Sequence, residues 1–230
     1  MKKHTQNFLL AAAFAAFSAV AEPTLQTVAD PRPLLDALQH KMASVGTVYL
    51  EFTQERELKL FSEPLKSEGV MLIERPDKIR WETTAPYQTI LLGDQKSVAQ
   101  FESNDGKWEK LKLGFPQLLQ RVMQQMSAMN QGQLDTLTNE FSVSLATNSE
   151  TVVTMTPKDK NVRSMMSSFE IHMEPDFSAT REVVLNEPNG DLTRIVFHNE
   201  KRGVPFPAGA FDQAKPLEIA AVQTVVNHAP

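Results

Sequence analysis

The stretch that decides the fold runs from Phe52-Thr53-Gln54 through Ser67-Glu68-Gly69-Val70-Met71-Leu72-Ile73, Arg75-Pro76, Lys78-Ile79-Arg80-Trp81 and Pro86 to Ile90-Leu91-Leu92. Its apolar runs are short and are punctuated by Gly, Pro and charged residues, which is the pattern of consecutive strands. The strands carry apolar residues on both faces. One arginine, Arg75, stands directly against the apolar run. A concave sheet side that holds something greasy fits this arrangement.

The same pattern continues on either side. Val48, Leu50 and Phe52 alternate with Tyr49, Glu51 and Thr53. Before them, Leu34, Leu35, Leu38 and Met42 form one stripe of a short amphipathic helix over 33–45, which Gly46 would end. After the central stretch, Val98 to Phe101 reads as a strand and Asn104-Asp105-Gly106 as a hairpin turn. From Pro116 to Met129 the period becomes helical, with Leu118, Leu119, Val122, Met123, Met126 and Met129. Strands then return: Phe141, Val143 and Leu145, then Val153 and Met155, then Phe169, Ile171 and Met173. Val183 and Leu185 lead to Pro188-Asn189-Gly190-Asp191, the best hairpin turn in the chain, and Ile195 and Phe197 answer it. The part from Pro205 onward is rich in Pro and Ala and reads as irregular or only loosely attached. Two blocks of strands with helices before and between predict an antiparallel sheet with helices on one side. With this many strands it must curl or close.

Residues 1–21 read as a secretory signal. Lys2 and Lys3 precede an apolar segment from Phe8 to Val20, and Ala19-Val20-Ala21 is a small-x-small cleavage site. There is no Cys, so neither a lipid-anchored N-terminus nor a disulfide is expected. The expected location is the periplasm, in soluble form, with residues 22–211 as one domain and 212–230 as an irregular tail. The formal charge of −5 does not suit nucleic acid.

The five histidines, His4, His40, His172, His198 and His228, form no metal-binding pair. No nucleophile elbow, phosphate loop or dinucleotide glycine pattern occurs. Glu55, Glu57 and Glu82 could do acid–base work, but a solvated strand face explains them more simply. No enzyme, metal or cofactor is expected.

Three features bear on binding, each beside a plainer reading. The Met-bearing helix suits a surface that repacks around varied apolar ligands, or is an ordinary core helix. Arg75 shares strand parity with Met71 and Ile73. It is placed either to donate hydrogen bonds to a covering segment or to snorkel at the surface. Ile79 and Trp81 share a face, as lining or as core packing.

Together these residues resemble the periplasmic outer-membrane lipoprotein carrier family, LolA. Phe52-Thr53-Gln54 resembles its F-T-Q strand. Glu68 to Pro76 resembles its E-G-x-(apolar)-x-(apolar)-x-R-P segment, and Ile79-Arg80-Trp81, Pro86 and Ile90 continue in register. Thr154-Met155-Thr156-Pro157-Lys158 resembles its later L-x-P-K strand end. The tryptophan of the family's next motif is missing, since Gly93 to Phe101 carries none, and the end beyond Phe211 is not recognisable.

The resemblance implies a mainly β fold with some α, an incomplete antiparallel β-barrel (half-barrel) covered by a helical lid. Arg75 would be the lid latch. Phe52, Met71, Ile73, Ile79, Trp81, Ile90, Leu118, Val122 and Met126 would line a hydrophobic cavity. The implied function is a monomeric, non-enzymatic carrier of acylated lipoproteins, from an inner-membrane transporter to an outer-membrane receptor. A carrier of another lipid or amphiphile, such as a glycolipid or pigment precursor, stays open, as does a lipid- or lipoprotein-sensing regulator.

Overall fold

A computed structural model of the protein describes residues 25–43, 45–94, 96–112 and 138–212. Among these residues, twelve strands form one antiparallel sheet in the order β1-β8-β9-β10-β11-β12-β2-β3-β4-β5-β6-β7. The strands are β1 Gln26–Thr27, β2 Thr47–Glu57, β3 Leu65–Glu74, β4 Lys78–Ala85, β5 Thr89–Gly93 and β6 Val98–Asn104. They continue as β7 Lys107–Leu111, β8 Phe141–Thr147, β9 Thr151–Pro157, β10 Ser168–Met173, β11 Thr180–Asn186 and β12 Leu192–Arg202. Helix α1 spans Arg32–Ala43 and a single turn, α2, spans Lys160–Arg163.

The sheet is open: β1 and β7 are its two edges and do not pair with each other. The order is two meanders, one from each half of the chain, joined where β12 returns to pair with β2. A sheet this wide exceeds the roughly ten strands that stay open without curling. Register shifts between Glu68 and Gly69, His172 and Met173, and His198 and Lys201 supply local bends.

Turn chemistry sets the hairpins. Asp105 and Gly106 both have positive φ (50° and 78°), the pair of values that a tight two-residue hairpin needs. Gly190 has φ 83° in the β11–β12 loop, where its N–H donates to the Glu187 carbonyl at 3.0 Å. Asp159 caps α2 by accepting from the backbone N–H of Asn161 (2.9 Å) and Val162 (3.0 Å).

The cross-strand register assigns every side chain to one of two faces. On the inner face, Phe52 stands opposite Gly69 and Phe197, Leu50 opposite Met71, and Met71 opposite Trp81. Ile195, Val183, Ile171 and Val153 carry this face across the second meander. Helix α1 lies on it, packing Leu35 and Leu38 against Leu145, Val153 and Met155. Each such fully buried aliphatic side chain contributes about 1.5–3 kcal/mol.

On the outer face the C-terminal part, expected to be irregular or only loosely attached, is irregular but firmly attached as far as Asp212. Residues 203–212 are irregular, but they cross β2–β4 as a strap. Val204 and Ala210 are buried against Tyr49, Val70 and Leu72, and Phe206 meets Phe211 edge-on at 5.8 Å. The Gly203 N–H donates to the Thr47 carbonyl (2.9 Å), and the Thr47 hydroxyl donates to the Val204 carbonyl (2.7 Å). The strap thus accounts for the apolar residues on the outer face of β2 and β3, while α1 packs on the inner face of β8 and β9.

The expected signal segment, residues 1–21, lies outside the described residues. So do the expected lid helix from Pro116 to Met129 and the tail from 213. Among the described residues, no helix is long and apolar enough to cross a membrane.

Candidate functional site

The candidate site is the inner face where β12, β2, β3 and β4 meet. Phe52 and Met71 are buried there, and Ile73, Trp81 and Phe197 are only half-buried. The rings of Phe52 and Trp81 lie 4.9 Å apart at 59°, although their strands are separated by β3. Gly69 allows this approach. A Cβ there would sit 1.9 Å from the Glu82 carbonyl oxygen and 2.9 Å from Phe52 Cζ. The glycine is thus required by two close approaches on the inner side of the sheet.

Five of the residues expected to line a cavity share this face: Phe52, Met71, Ile73, Ile79 and Trp81. Ile90 does not. It is opposite Glu82, on the outer face, and fully buried there; Leu91, opposite Trp81, holds the inner position. The run Ile90-Leu91-Leu92 has no alternation to reveal its parity, so the β4–β5 register decides it. Leu118, Val122 and Met126 lie outside the described residues.

Phe197, Phe169 and Ile171 belong to the same apolar cluster as Phe52 and Trp81. Their period-two alternation marks them as strand residues. It could not say that they face the same way as Phe52, because that depends on pairing across more than a hundred residues.

Arg75 follows directly on β3 at the end of the inner face. Its N–H donates to the Gly46 carbonyl at 2.9 Å. Arg202, opposite Val48, lies at the same end. Burial, and secondarily the Arg202 charge, lower the Arg75 pKa below its ordinary value. Arg202 is itself paired with Glu200 (Nε to Oε1, 2.6 Å).

The outer face carries the polar networks. Glu51 accepts from Tyr49 Oη (3.0 Å) and Asn199 Nδ2 (2.7 Å), and Thr53 Oγ1 meets His198 Nε2 at 3.1 Å. Arg194 pairs with Glu182. Glu55 is held by Lys66 at 2.7 Å in a partly solvated pair, which fits the simple reading of the strand carboxylates. Glu82 departs from that reading. It is 3% exposed and accepts from both Nε (2.9 Å) and Nη2 (2.7 Å) of Arg80, itself wholly buried. Arg80 Nη1 donates to the strap carbonyl of Ala210 at 3.0 Å. Among the described residues no cluster of three or more His, Asp or Glu is placed to hold a metal.

The asymmetry is chemical: the outer face is laced with hydrogen bonds, while the inner face offers a continuous, half-covered apolar surface. Such a surface can adsorb or enclose hydrocarbon. Among the described residues it presents no nucleophile–base pair.

Comparison with known proteins agrees with that chemistry. The outer-membrane lipoprotein carrier protein of Pseudoalteromonas translucida (strain TAC 125) is 25% identical over 187 residues, covering 78% of this chain and 82% of that protein. That of Bordetella avium (strain 197N) is 23% identical over 188 residues, covering 82% and 86%. A solved structure described as LolA superfamily protein NE2245 from Nitrosomonas europaea overlaps 77% of this chain and 96% of its own at 9% identity, with a TM-score of 0.40. Residues 43–214 match the family model described as outer membrane lipoprotein carrier protein LolA, so the chain belongs to the LolA family, a family of carriers and not of enzymes.

Proposed function

We propose that the inner face holds the acyl chains of lipoproteins and that the protein carries them across the periplasm, from an inner-membrane transporter to an outer-membrane receptor. The observation that carries this reading is the apolar surface shared by Phe52, Trp81, Phe197, Phe169 and Ile171, only partly covered among the described residues. Family membership and the names of the relatives support it.

The energetics favour such a device. Each buried acyl CH₂ contributes about 0.8 kcal/mol, so a multi-chain anchor amounts to tens of kcal/mol against free passage through water. A carrier must shield that hydrocarbon and still release it. Leu118, Val122 and Met126, on the helix read over 116–129, would close over the inner face, and Arg75 at its end would latch them. Charge-assisted hydrogen bonds contribute about 1.5–3 kcal/mol each, enough to hold a lid and little enough for cargo to displace it.

Native mass spectrometry of the protein purified gently from its own periplasm tests this. The expected result is an adduct whose mass is that of a triacylated protein. An adduct of free lipid or pigment only, or no adduct after reconstitution with an acylated lipoprotein, would overturn the reading.

A further inference from the structure

Large apolar side chains are conspicuously exposed at one end of the sheet. Leu60 is 91% exposed, Tyr87 73%, Phe61 58% and Leu65 53%. Only Leu25, at 37%, joins them among the described residues, and it lies elsewhere in the chain, just before β1. Leu60 and Phe61 occupy the β2–β3 loop, Leu65 begins β3, and Tyr87 stands in the β4–β5 turn. Since β2, β3, β4 and β5 are consecutive antiparallel neighbours, both connections emerge at the same sheet end.

The display is braced. The Phe61 N–H donates to the Leu58 carbonyl at 2.8 Å, closing a tight turn with Lys59 and Leu60 at its centre. The Lys59 N–H donates to Asp191 Oδ1 (2.9 Å) in the neighbouring β11–β12 loop. The Lys59 side chain lies so close over Gly190 that a Cβ there would come within 2.3 Å of Nζ. Asp191 is itself fixed by Asn189, through its own N–H (3.0 Å) and the Asn189 amide (2.8 Å). Leu60 is thus pushed outward by a turn clamped from the side. An exposed leucine held this way gains nothing for the fold, and its solvent exposure is unfavourable.

The surrounding charges say what kind of surface it meets. Lys66 is neutralised by Glu55 (2.7 Å) and Arg56 by Glu187 (3.1 Å), and Lys59, the remaining cation of the turn, is outnumbered by Glu57, Glu63 and Asp191 nearby. The tip has no basic surplus, so it is not built for an anionic surface. Leucine, phenylalanine and tyrosine presented on separate turns suit the headgroup–acyl boundary of a bilayer. The tip is also continuous with the inner face, because Leu65 stands opposite Arg56 on the same face as Ile73, Met71 and Gly69.

We propose that the turns bearing Leu60, Phe61, Leu65 and Tyr87 form a membrane-contacting tip that enters the interface of a lipid bilayer by apolar insertion. Contact of this kind would bring the inner face to the lipid surface where an amphiphile enters or leaves. That consequence rests on the carrier reading, whereas the contact itself does not.

The test is flotation of the purified protein with phosphatidylcholine vesicles and with phosphatidylcholine–phosphatidylglycerol vesicles, at low and high salt. Wild type is expected to float with both, with little effect of salt. The Leu60→Asn/Phe61→Asn variant should lose at least about tenfold in partition at an unchanged melting temperature. Leu60→Trp should show tryptophan emission quenched by brominated phosphatidylcholine beyond the wild-type background of Trp81 and Trp108. Failure of wild type to float, equal flotation of the double variant, or binding only to anionic vesicles at low salt would each overturn the proposal. Capture of an acylated lipoprotein on the inner face is measured separately, so neither result stands in for the other.

Discussion

Replacing Arg80 by methionine strikes the outer side of β4 at its most heavily committed residue. Methionine keeps most of the apolar stem, so the substitution removes charge and hydrogen bonds more than volume. It leaves Glu82, 3% exposed, without the two N–H donors at 2.9 and 2.7 Å. It also leaves the Ala210 carbonyl without the Nη1 donor at 3.0 Å. Breaking a buried pair from one side costs about 3–5 kcal/mol, because an uncompensated charge is left in the interior. A domain of this size has about 5–15 kcal/mol in total, so the loss is a large share of it. The consequence reaches the inner face, since Arg80 lies between Ile79 and Trp81 on the same strand.

Urea unfolding followed by tryptophan fluorescence and far-ultraviolet circular dichroism measures the loss. The double variant Arg80→Met/Glu82→Leu removes both charges and should return to within about 2 kcal/mol of wild type. A single variant that loses under about 1 kcal/mol, or a double variant no better than the single, would refute the reasoning.

Three further outcomes are expected. Gly69→Ala sets a Cβ 1.9 Å from the Glu82 carbonyl oxygen and should cost at least about 1–3 kcal/mol in urea unfolding, with a change in Trp81 fluorescence as Phe52 is displaced. Asp159→Ala removes the α2 cap and should cost about 1 kcal/mol by thermal melting, with no effect on cargo uptake. Arg75→Leu should leave the melting transition of the sheet within about 1 kcal/mol of wild type while altering the balance of cargo uptake and hand-off; uptake and hand-off both equal to wild type would remove Arg75 from the latch role.

The strands were legible because half-buried antiparallel strands alternate. Phe141-x-Val143-x-Leu145 and Val48-x-Leu50-x-Phe52 carry that period openly. The hairpin turns at Asn104-Asp105-Gly106 and Pro188-Asn189-Gly190-Asp191 were legible because positive φ restricts residue choice. What stayed hidden was long-range. Nothing in the stretch Ile79-Arg80-Trp81 marks Arg80 as a buried position. Among the described residues, the strap from Gly203 to Asp212 covers that position, and its Pro- and Ala-rich composition carries no period. Ile90, a cavity residue by the family resemblance, lies on the outer face, and the continuous apolar run Ile90-Leu91-Leu92 carries no parity to show it. Local patterns thus named the strands correctly, while the identity of each face depended on register.

The central claim is that hydrocarbon lies against one face of the sheet and not the other. Phe197 and His198 are consecutive on β12 and point to opposite faces, opposite Phe52 and Glu51 respectively. A photo-crosslinking amino acid placed at each position, in the presence of a lipoprotein carrying radiolabelled acyl chains, compares the two faces at nearly the same place. The account expects label to be captured at 197 and not at 198. Equal capture at both positions, or capture at 198 alone, would contradict it.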